Sequence, residues 1–365
     1  MNNYILIETK KNQLKNNIKV AAFDFDFTLV KTKSNKKFPE DENDWEYWDK
    51  SVLGKLKFLS EEGYIMVIFS NQNGVGTGKV KESMVINRFN NFIKSTKLDW
   101  ICMAAKEKDL MRKPNIGMWN FLFKNYKINM KKSFYVGDAA GRVKNYVNKR
   151  KKDFSSSDRK FAINLNLNFY TPEEFFLNEE KTDNYILDGF NPLKYKLKPY
   201  KKLKIKKKAE KEMIILVGCP GSGKSKFCKK YFSNYVRINQ DKLKTKQKCI
   251  KLCKESLNNQ KSVIIDNTNP DKKARKLYID LAKANKYTIN CYLMNVSKDL
   301  GKHMNFYRYK KSGGKKKLVP AIVYNVYFKK LEYPSIDEGF NQINIIEPNF
   351  KFKKEKNKNL FMELN

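Results

Sequence analysis

The stretch "AAFDFDFTLV", residues 21–30, combines an apolar run typical of a buried strand with two acidic residues. Side chains alternate across a strand, so Asp24 and Asp26 share one face if the strand continues that far. Two adjacent carboxylates repel each other unless a cation or a shared proton relieves the repulsion. In open α/β sheets, ligands bind beyond the carboxyl ends of the strands, which is where this apolar run ends. The pair therefore indicates a functional site, although a lone D-x-D pattern also occurs in turns and helix caps.

Strand-like and helix-like runs alternate along both halves of the chain. In the first half, "KVAAFDFD", "YIMVIFSN", "WICMAA" and "SFYVGD" are separated by amphipathic stretches such as "KESMVINRFNNFIKS". The second half repeats the alternation with "EMIILVG", "KSVIID" and "YTINCYLM". This pattern is typical of βαβ units. We predict an α/β protein with two domains, each with a mainly parallel sheet flanked by helices.

The length of 365 residues also favours two domains over one. Between the halves, residues 193–212 are rich in charge and poor in apolar side chains, which predicts a basic linker. Such a run can also bind nucleic acid, act as a nuclear import signal or simply be solvated. The predicted organisation is an N-terminal extension (1–17), a first α/β domain (18–192), the linker, a second α/β domain (213–350) and a basic C-terminal tail (351–365).

The chain is strongly basic. It has 76 Lys and Arg against 38 Asp and Glu, a formal net charge of +38. An excess of this size indicates a negatively charged partner, with nucleic acid as the first candidate. Part of the excess could instead reflect a biased genome, because Lys and Asn are abundant throughout the chain.

Cysteine and histidine usage suggests the reducing interior of a cell. The six cysteines form no C-x-x-C pair, and the chain has a single histidine, so neither a zinc site nor a disulfide framework is indicated. The N-terminus lacks the apolar core of a signal peptide, and no apolar run approaches the roughly 20 residues of a membrane span. We therefore expect an intracellular protein, and a monomer. The basic segment 193–212 favours the nucleus, although the Lys- and Asn-rich composition is equally compatible with a cytoplasmic setting.

Polar residues also follow other predicted strands of the first domain. Ser70 and Asn71 come after "YIMVIF", Lys113 lies in "MRKPN", and Asp138 follows "SFYVG". A hydroxyl and a lysine are suited to hold phosphate oxygens. A third carboxylate would complete an oxygen cage for Mg²⁺. These strand ends together predict a magnesium-dependent phosphate site.

This order of motifs resembles the haloacid-dehalogenase (HAD) phosphatase superfamily, whose pattern is D-x-D-x-T, then Ser or Thr, then Lys, then an acidic motif. The resemblance implies a HAD-like Rossmannoid fold. It also implies that Asp24 is the nucleophile that forms an aspartyl-phosphate, and that Asp26 is the general acid and base. Ser70 and Lys113 would bind the phosphoryl group, Asn71 is a further candidate phosphate contact, and Thr28 would support the motif.

The same resemblance implies a Mg²⁺ site in the first domain. The metal would lie between Asp24, the backbone at Asp26 and Asp138. Two further acids in "KKDFSSSDRKFA", Asp153 and Asp158, would be near enough to join its outer shell.

The second domain begins with a phosphate-binding loop. "GCPGSGKS", residues 218–225, fits G-x-x-x-x-G-K-[ST] and directly follows the apolar run "MIILV". Loop N–H groups would surround the β-phosphate of ATP, Lys224 would reach the β- and γ-phosphates, and Ser225 would bind Mg²⁺ at a helix N-terminus. A glycine-rich turn without nucleotide is the alternative. The candidate nucleotide-binding residues are Gly218, Gly221, Ser222, Gly223, Lys224 and Ser225.

Further along, several residues are candidates for phosphoryl transfer. Asp241 could accept a proton from an acceptor hydroxyl, and Asp266 stands either at a Walker-B-like position or in a simple strand-ending turn. The segment "GKHMNFYRYKKSGG" is predicted to be a lid, with Arg308 stabilising the transferring phosphoryl group. His303 in the same segment is either catalytic or packed.

A phosphatase signature followed by a P-loop kinase signature resembles the polynucleotide kinase 3'-phosphatase family. The resemblance extends from about residue 18 to 347 and includes "VGDAAGR", "CPGSGKS" and "IDNTNPD". It implies a P-loop NTPase fold for the second domain, removal of 3'-phosphates and transfer of the ATP γ-phosphate to 5'-hydroxyls at DNA strand breaks before ligation. Asp241 would be the general base, and Arg275 would contact a nucleic-acid phosphate or the lid.

Two residues depart from the patterns of these families. Phe27 stands where the superfamily commonly has Gly, and Gln240 stands where the polynucleotide kinase family often has Arg. Both departures put substrate contacts in question. Only about 17 residues precede "IKVAAFDFD", so we expect no N-terminal phosphopeptide-binding domain of the mammalian type.

Two alternatives remain open at this stage. The same modules could heal RNA or tRNA ends, or the chain could be a non-catalytic scaffold that binds nucleic acid. Repair or ligase partners are conceivable, and none is indicated by the residues.

Overall fold

The computed structural model describes residues 2–9, 17–145, 150–200, 203, 205 and 211–365. It divides into two compact units, Met1–Pro192 with Met362–Asn365, and Leu193–Phe361. Parts of the predicted N-terminal extension (10–16) and of the predicted basic linker (201–202, 204 and 206–210) lie outside the described residues.

The first unit is built on a mainly parallel sheet. Its strands are β1 Tyr4–Glu8, β2 Val20–Phe23, β3 Val30–Lys31, β4 Glu46–Tyr47, β5 Ile65–Asn71, β6 Ile101–Ala105, β7 Phe134–Val136 and β8 Asn168–Tyr170. Among the described residues, six of them form one sheet in the order β1-β6-β5-β2-β7-β8, while β3 and β4 form a separate antiparallel pair. Only β1 runs antiparallel in the larger sheet.

The helices of this unit are α1 Ser51–Glu61, α2 Asn73–Gly76, α3 Glu82–Thr96, α4 Gly117–Phe123, α5 Ser157–Leu165 and α6 Pro172–Phe176. They cover both faces of β2, whose four residues are all buried. Ala21 and Phe23 belong to the same apolar cluster as Phe89 of α3. Ala22 belongs to the cluster of Phe161 on α5. An uninterrupted apolar run such as β2 is what a central parallel strand requires, because both of its faces are covered.

The second unit repeats this construction. Its strands are β9 Glu212–Val217, β10 Val236–Ile238, β11 Val263–Ile265, β12 Thr288–Met294 and β13 Gln342–Ile346. They form a parallel sheet in the order β10-β11-β9-β12-β13. The helices are α7 Lys224–Tyr231, α8 Gln240–Leu243, α9 Lys246–Asn258, α10 Lys272–Ala284, α11 Lys298–Lys311, α12 Ala321–Lys330 and α13 Glu355–Met362.

The central strand β9 is also buried along its whole length. Ile215 shares an apolar cluster with Ile279 of α10, and Ile214 shares another with Phe227 of α7. The predicted α/β class with two parallel-sheet domains is confirmed. In each unit the central strand ends at a motif that the sequence singled out.

The two ends of the chain contain more structure than an extension and a tail. Residues 4–8 form β1, which pairs with β6 and places Ile5 in the core. Near the C-terminus, residues 355–362 form α13, and Phe361 is fully buried.

All six cysteines are buried and free. Within the described part of the chain, no helix has both the length and the apolar character that crossing a membrane requires.

Candidate functional sites

Asp24 stands directly after β2, where its N–H donates to the carbonyl of Val136 on β7 (2.9 Å). Its Oδ1 lies 2.8 Å from Nζ of Lys113, a buried side chain. The same ammonium lies 2.7 Å from Oδ1 of Asp158 and donates to the Tyr135 hydroxyl (2.7 Å). One buried lysine therefore connects two carboxylates at the carboxyl edge of the sheet.

Three acidic side chains converge at this edge. One carboxylate oxygen each from Asp24, Asp138 and Asp158 lies within 4.8 Å of the others. Loss of water contact raises the pKa of Asp24 to about 7, against the opposing effect of Lys113, and it raises the pKa of Asp138 well above its usual range. Clustered carboxylates of this kind suit a hard divalent cation, which would offset their mutual repulsion. The donor set therefore fits Mg²⁺.

Asp26 has different partners from Asp24. Its Oδ1 accepts from Nη2 of Arg88 (2.8 Å), and its Oδ2 accepts from Nε2 of Gln72 (2.8 Å). The same Gln72 amide donates to Ser70 Oγ (2.9 Å). The Asp26 side chain is therefore not one of the three clustered carboxylates. Only the backbone of Asp26 stays a predicted metal ligand.

Two other predicted residues, Thr28 and Asn71, form hydrogen bonds with the backbone of residues in this site. The Thr28 hydroxyl accepts from the backbone N–H of Asp138 (3.1 Å), which ties the two loops together. Asn71 exchanges two hydrogen bonds with the backbone of Lys113, one of 2.9 Å to its amide oxygen and one of 3.1 Å from its amide nitrogen. Asn71 was predicted as a phosphate contact, and the structure instead uses its amide to position Lys113.

The two further acids of this region differ in role. Asp153 accepts from the Nε of Arg142 (2.9 Å) and from the backbone N–H groups of Arg142 and Ala140 (2.9 and 3.2 Å). These contacts make it a buried support of the loop. Asp158, by contrast, accepts from the Ala139 N–H (3.0 Å) and also contributes a carboxylate oxygen to the cluster with Asp24 and Asp138.

Arg88 was not predicted to be a site residue, although the apolar pattern of its helix indicates that it is buried. On α3 the buried positions are Val85, Arg88, Phe89, Phe92 and Thr96, spaced i, i+3, i+4, i+7 and i+11. Arg88 therefore occupies a core position on an apolar helix face. A cation there needs a buried partner, and Asp26 is that partner.

Tyr135 and Arg112 were also missed. Tyr135 lies in the middle of β7 and bridges Lys113 and Asp158 through its hydroxyl. Arg112 precedes Lys113, and its Nη1 is buried without a hydrogen-bond partner among the described residues. Burial lowers the pKa of Arg112, and the charge of Asp24 opposes that effect. An arginine donor whose pKa responds to the charge of Asp24 is thus available to a ligand.

The loop after β9 has the geometry of an anion-binding site. Gly221 and Gly223 have positive φ angles of 75° and 96°, which side chains rarely adopt. Lys224 begins α7, and its Nζ donates to the carbonyl oxygens of Gly218 and Cys219 (2.7 and 2.8 Å). Burial lowers its pKa to about 8. The loop N–H groups and the start of α7 are arranged to hold phosphate.

Asp266 lies beside this loop. Its Oδ2 accepts from Ser225 Oγ (2.8 Å) and from Arg237 Nε (2.7 Å), and Asn239 donates to its backbone carbonyl (2.6 Å). Its Oδ1 is buried without a partner among the described residues. An unpaired buried carboxylate oxygen is costly. Next to the Ser225 hydroxyl, it fits a divalent cation.

Asp241 lies in the first turn of the short helix α8 and is exposed. The preceding Gln240 donates its backbone N–H to the Asn267 side chain (2.9 Å). Both Asp266 and Asp241 oppose the effect of burial on the pKa of Lys224. The Asp241 carboxylate is exposed and therefore accessible to an acceptor.

Arg308 connects α11 to the segment that follows it. Its Nη2 donates to Asn305 Oδ1 (2.9 Å) and to the Lys317 carbonyl (3.4 Å), while its Nε is buried without a partner among the described residues. Asn305 in turn bonds both the N–H and the carbonyl of Val319. The arginine therefore anchors the segment between α11 and α12.

Arg275 does not contact substrate, and its predicted role is wrong. The side chain is fully buried, with Nε and Nη2 each 2.7 Å from a carboxylate oxygen of Glu338. Its Nη1 donates to the carbonyls of Asn269, Pro270 and Glu332. Every donor is used inside the unit, so Arg275 is a structural clamp.

His303 is packed rather than catalytic. Its Nε2 lies 2.7 Å from the Phe361 carbonyl oxygen, and the two rings meet edge to face. Burial lowers its pKa to about 4.

Each half of the chain matches a known protein family. Residues 19–176 match the family described as polynucleotide kinase 3 phosphatase, and residues 213–334 match an AAA domain family. The chain is similar to a bifunctional polynucleotide phosphatase/kinase of Schizosaccharomyces pombe, with 39% identity over 355 residues, 95% of this chain and 83% of that protein.

A polynucleotide 3'-phosphatase of Arabidopsis thaliana, ZDP, is 36% identical over 191 residues, which cover 47% of this chain and 26% of that protein. Among solved structures, the D,D-heptose 1,7-bisphosphate phosphatase of B. bronchiseptica covers 47% of this chain and 92% of that chain, with 13% identity and a TM-score of 0.35.

Proposed function

Because the chain belongs to the family of bifunctional polynucleotide phosphatase/kinases, we propose that it heals broken DNA strands by removing 3'-phosphates and phosphorylating 5'-hydroxyls. The observation that carries this function is the presence of two phosphate sites, each at the carboxyl edge of its own parallel sheet. Asp24 and Lys113 form one of them, and the loop of Lys224 with Asp266 forms the other. Both products are the ends that ligation requires.

In the phosphatase reaction, Asp24 attacks phosphorus and the bond to the sugar O3' breaks, which leaves an aspartyl-phosphate. Asp26, held by Arg88 and Gln72, gives a proton to the leaving O3'. It then takes a proton from the water that attacks the aspartyl-phosphate, and inorganic phosphate is released. Lys113 contacts Asp24 and would bind the oxygens of the transferred group.

Asp24, Asp138 and the backbone at Asp26 would hold Mg²⁺ in the phosphatase, and Asp158 shares the carboxylate cluster with Asp24 and Asp138. Bound there, Mg²⁺ would neutralise negative charge on the carboxylates and on the phosphoryl group. Ser70 is still predicted to bind the phosphoryl group, and Thr28 to support the D-x-D-x-T motif.

In the kinase reaction, the loop N–H groups and Lys224 bind the β- and γ-phosphates of ATP. Lys224 would exchange its contacts with the Gly218 and Cys219 carbonyls for phosphate oxygens. Ser225 and Asp266 would hold the second Mg²⁺. Asp241 would accept the proton of the 5'-hydroxyl, and Arg308 would contact the γ-phosphoryl group.

The excess of positive charge suits a polymeric phosphate substrate. Since the reaction is at strand ends and not at base edges, sequence preference should be weak. DNA is the proposed substrate, and RNA is the alternative that the test below separates.

The experiment supplies oligonucleotides with a 5'-hydroxyl and a 3'-phosphate, as DNA or RNA, with ATP and Mg²⁺, and resolves both ends. We expect the DNA to lose its 3'-phosphate and to gain a 5'-phosphate. Faster turnover of both ends on RNA would assign the chain to RNA healing. If neither the DNA nor the RNA changed at either end, the end-healing function would be contradicted.

We also propose nuclear residence, which is supported by the basic segment 193–212. Replacing its lysines by glutamine in a fluorescent fusion should move the protein to the cytoplasm. An unchanged distribution would exclude the segment as the import signal.

A further inference from the structure

Phe27 adopts a backbone conformation that disfavours its own side chain. Its φ is 58°, in the left-handed region that glycine adopts freely and that is a genuine outlier for a bulky residue. The turn is closed by hydrogen bonds from the Phe27 N–H to the Val30 carbonyl (2.7 Å) and from the Leu29 N–H to the Phe25 carbonyl (3.0 Å). The loop therefore holds Phe27 in a strained geometry.

Packing within the protein does not compensate for that strain. The neighbouring side chains of Phe25 and Leu29 are fully buried, whereas Phe27 is 39% exposed. Among the described residues, the Phe27 ring belongs to no apolar cluster and has no aromatic or cationic partner at its face. A large ring kept in a strained, exposed position indicates a role in contact with something outside the chain.

The position of Phe27 in the chain indicates which molecule its ring would contact. Phe27 lies between Asp26 and Thr28, whose side chains are turned to the phosphatase site through Gln72 and the Asp138 N–H. Adjacent Cα atoms are about 3.8 Å apart, so Phe27 borders this site through its backbone, and its ring is exposed to solvent. Because Asp26 is proposed to protonate the leaving O3', the departing nucleoside would lie close to Asp26 and to its neighbour Phe27.

We propose that the Phe27 ring stacks on the base of the 3'-terminal nucleotide and so makes the phosphatase site selective for nucleotide ends that carry an accessible base. This inference rests on the proposed phosphatase function and adds the surface that recognises its substrate. Aromatic stacking accepts any base, because each base has a π face. Selectivity is then for an unpaired terminal base and not for sequence.

The test compares two oligonucleotides with a 3'-phosphate, identical except that the terminal nucleotide of one lacks its base. Wild type and Phe27→Gly are assayed on both for kcat/KM. Removing the base should slow the wild type roughly 5- to 150-fold, the range expected for one base stacked on an aromatic ring. Phe27→Gly should show the same loss on the intact oligonucleotide and no difference between the two.

Glycine suits the φ at this position, so the variant should fold, and its unimpaired 5'-kinase activity and thermal melting check that it does. Phe27→Trp should retain the wild-type preference. Phe58→Ala, which removes another exposed ring (56%) on α1, is the matched control and should not change it.

A Phe27→Gly variant that is as fast as wild type on the intact oligonucleotide would overturn the stacking proposal. So would a variant whose kcat/KM falls by the same factor relative to wild type on both oligonucleotides, because it would keep the wild-type preference for the base. In those cases the wild type still removes the phosphate, and the proposed function stands. A wild type that dephosphorylates neither oligonucleotide would overturn the function itself, and the stacking proposal with it.

Discussion

Asp24 and Asp26 are separated by one residue and have different partners. Asp24 contacts the buried ammonium of Lys113, while Asp26 is held by Arg88 and Gln72. Two nearby carboxyl groups in different surroundings can take different roles, one as nucleophile and the other as proton carrier. At the residue scale, the partners decide which carboxylate does which chemistry.

Single substitutions should therefore separate the two activities. Asp24→Asn removes the nucleophile and should lower 3'-phosphatase activity at least a thousandfold, on the order of other nucleophile deletions. Lys224→Ala should do the same to 5'-phosphorylation, because its ammonium is proposed to bind the transferred phosphate. Each variant serves as the control for the other in an assay that resolves both ends. Loss of both activities in either variant would contradict two independent sites.

His303 makes the stability of the second unit depend on pH. Burial lowers its pKa from 6.5 to about 4 in the folded state, so the unfolded chain binds the proton more readily between these values. Its contribution to stability is full above pH 6.5 and is lost as pH falls toward 4. The difference corresponds to roughly 3 kcal/mol of unfolding free energy.

Urea unfolding followed between pH 7 and 4.5 measures this effect. Since the chain has one histidine, His303→Gln should flatten the curve above pH 5, where most carboxylates remain ionised. A curve of unchanged slope in the variant would show that other groups cause the loss.

At the scale of the element, the edge strand β1 shows how local structure depends on distant partners. Residues 4–8 pair with 101–105, and the strand alternates a buried Ile5 (4% exposed) with an exposed Leu6 (37%). The strand completes the edge of the sheet and covers part of the core around Phe23. It is an integral part of the first unit.

Ile5→Ala should accordingly lower the unfolding free energy of the first unit by about 2–4 kcal/mol, through lost burial and the cavity left behind. Leu6→Ala, one residue away on the other face, should cost less than about 1 kcal/mol. Denaturant unfolding of the two variants makes the comparison. Equal effects would mean that β1 does not pack on the core in solution.

At the scale of the whole molecule, charge is the dominant property. A net charge of +38 over 365 residues favours association with a polyanion at long range, whereas the two sites decide only what happens at its ends. Binding and chemistry should therefore respond differently to salt.

DNA affinity should fall steeply with ionic strength. Each phosphate contact adds roughly 0.9 to the slope of log K against log salt on a duplex, so four contacts would lower affinity about 100-fold between 50 and 200 mM. Fluorescence anisotropy measures this slope, and an oligonucleotide with methylphosphonate linkages is the control. Affinity that does not change with salt would exclude the charge as the binding force.

The local sequence predicted the central strands of both sheets and the motifs that follow them. The uninterrupted apolar runs of β2 and β9 indicated central parallel strands, and each ends at its motif, at Asp24 and at Gly218. These features depend on residues adjacent in the chain, for which periodicity and spacing are reliable guides. The α/β class and the family resemblance are confirmed, while the site residues stay predictions.

Tertiary structure alone decided which side chains meet. Arg88 reaches Asp26 from 62 positions away, and Arg275 uses its donors on Glu338, 63 positions away, instead of on substrate. Sequence patterns show that a cation lies on an apolar face, as for Arg88, but they do not show its partner. That partner is set by how elements distant in the chain align across the sheet, because a buried charge keeps only the contacts that the packed fold brings to it.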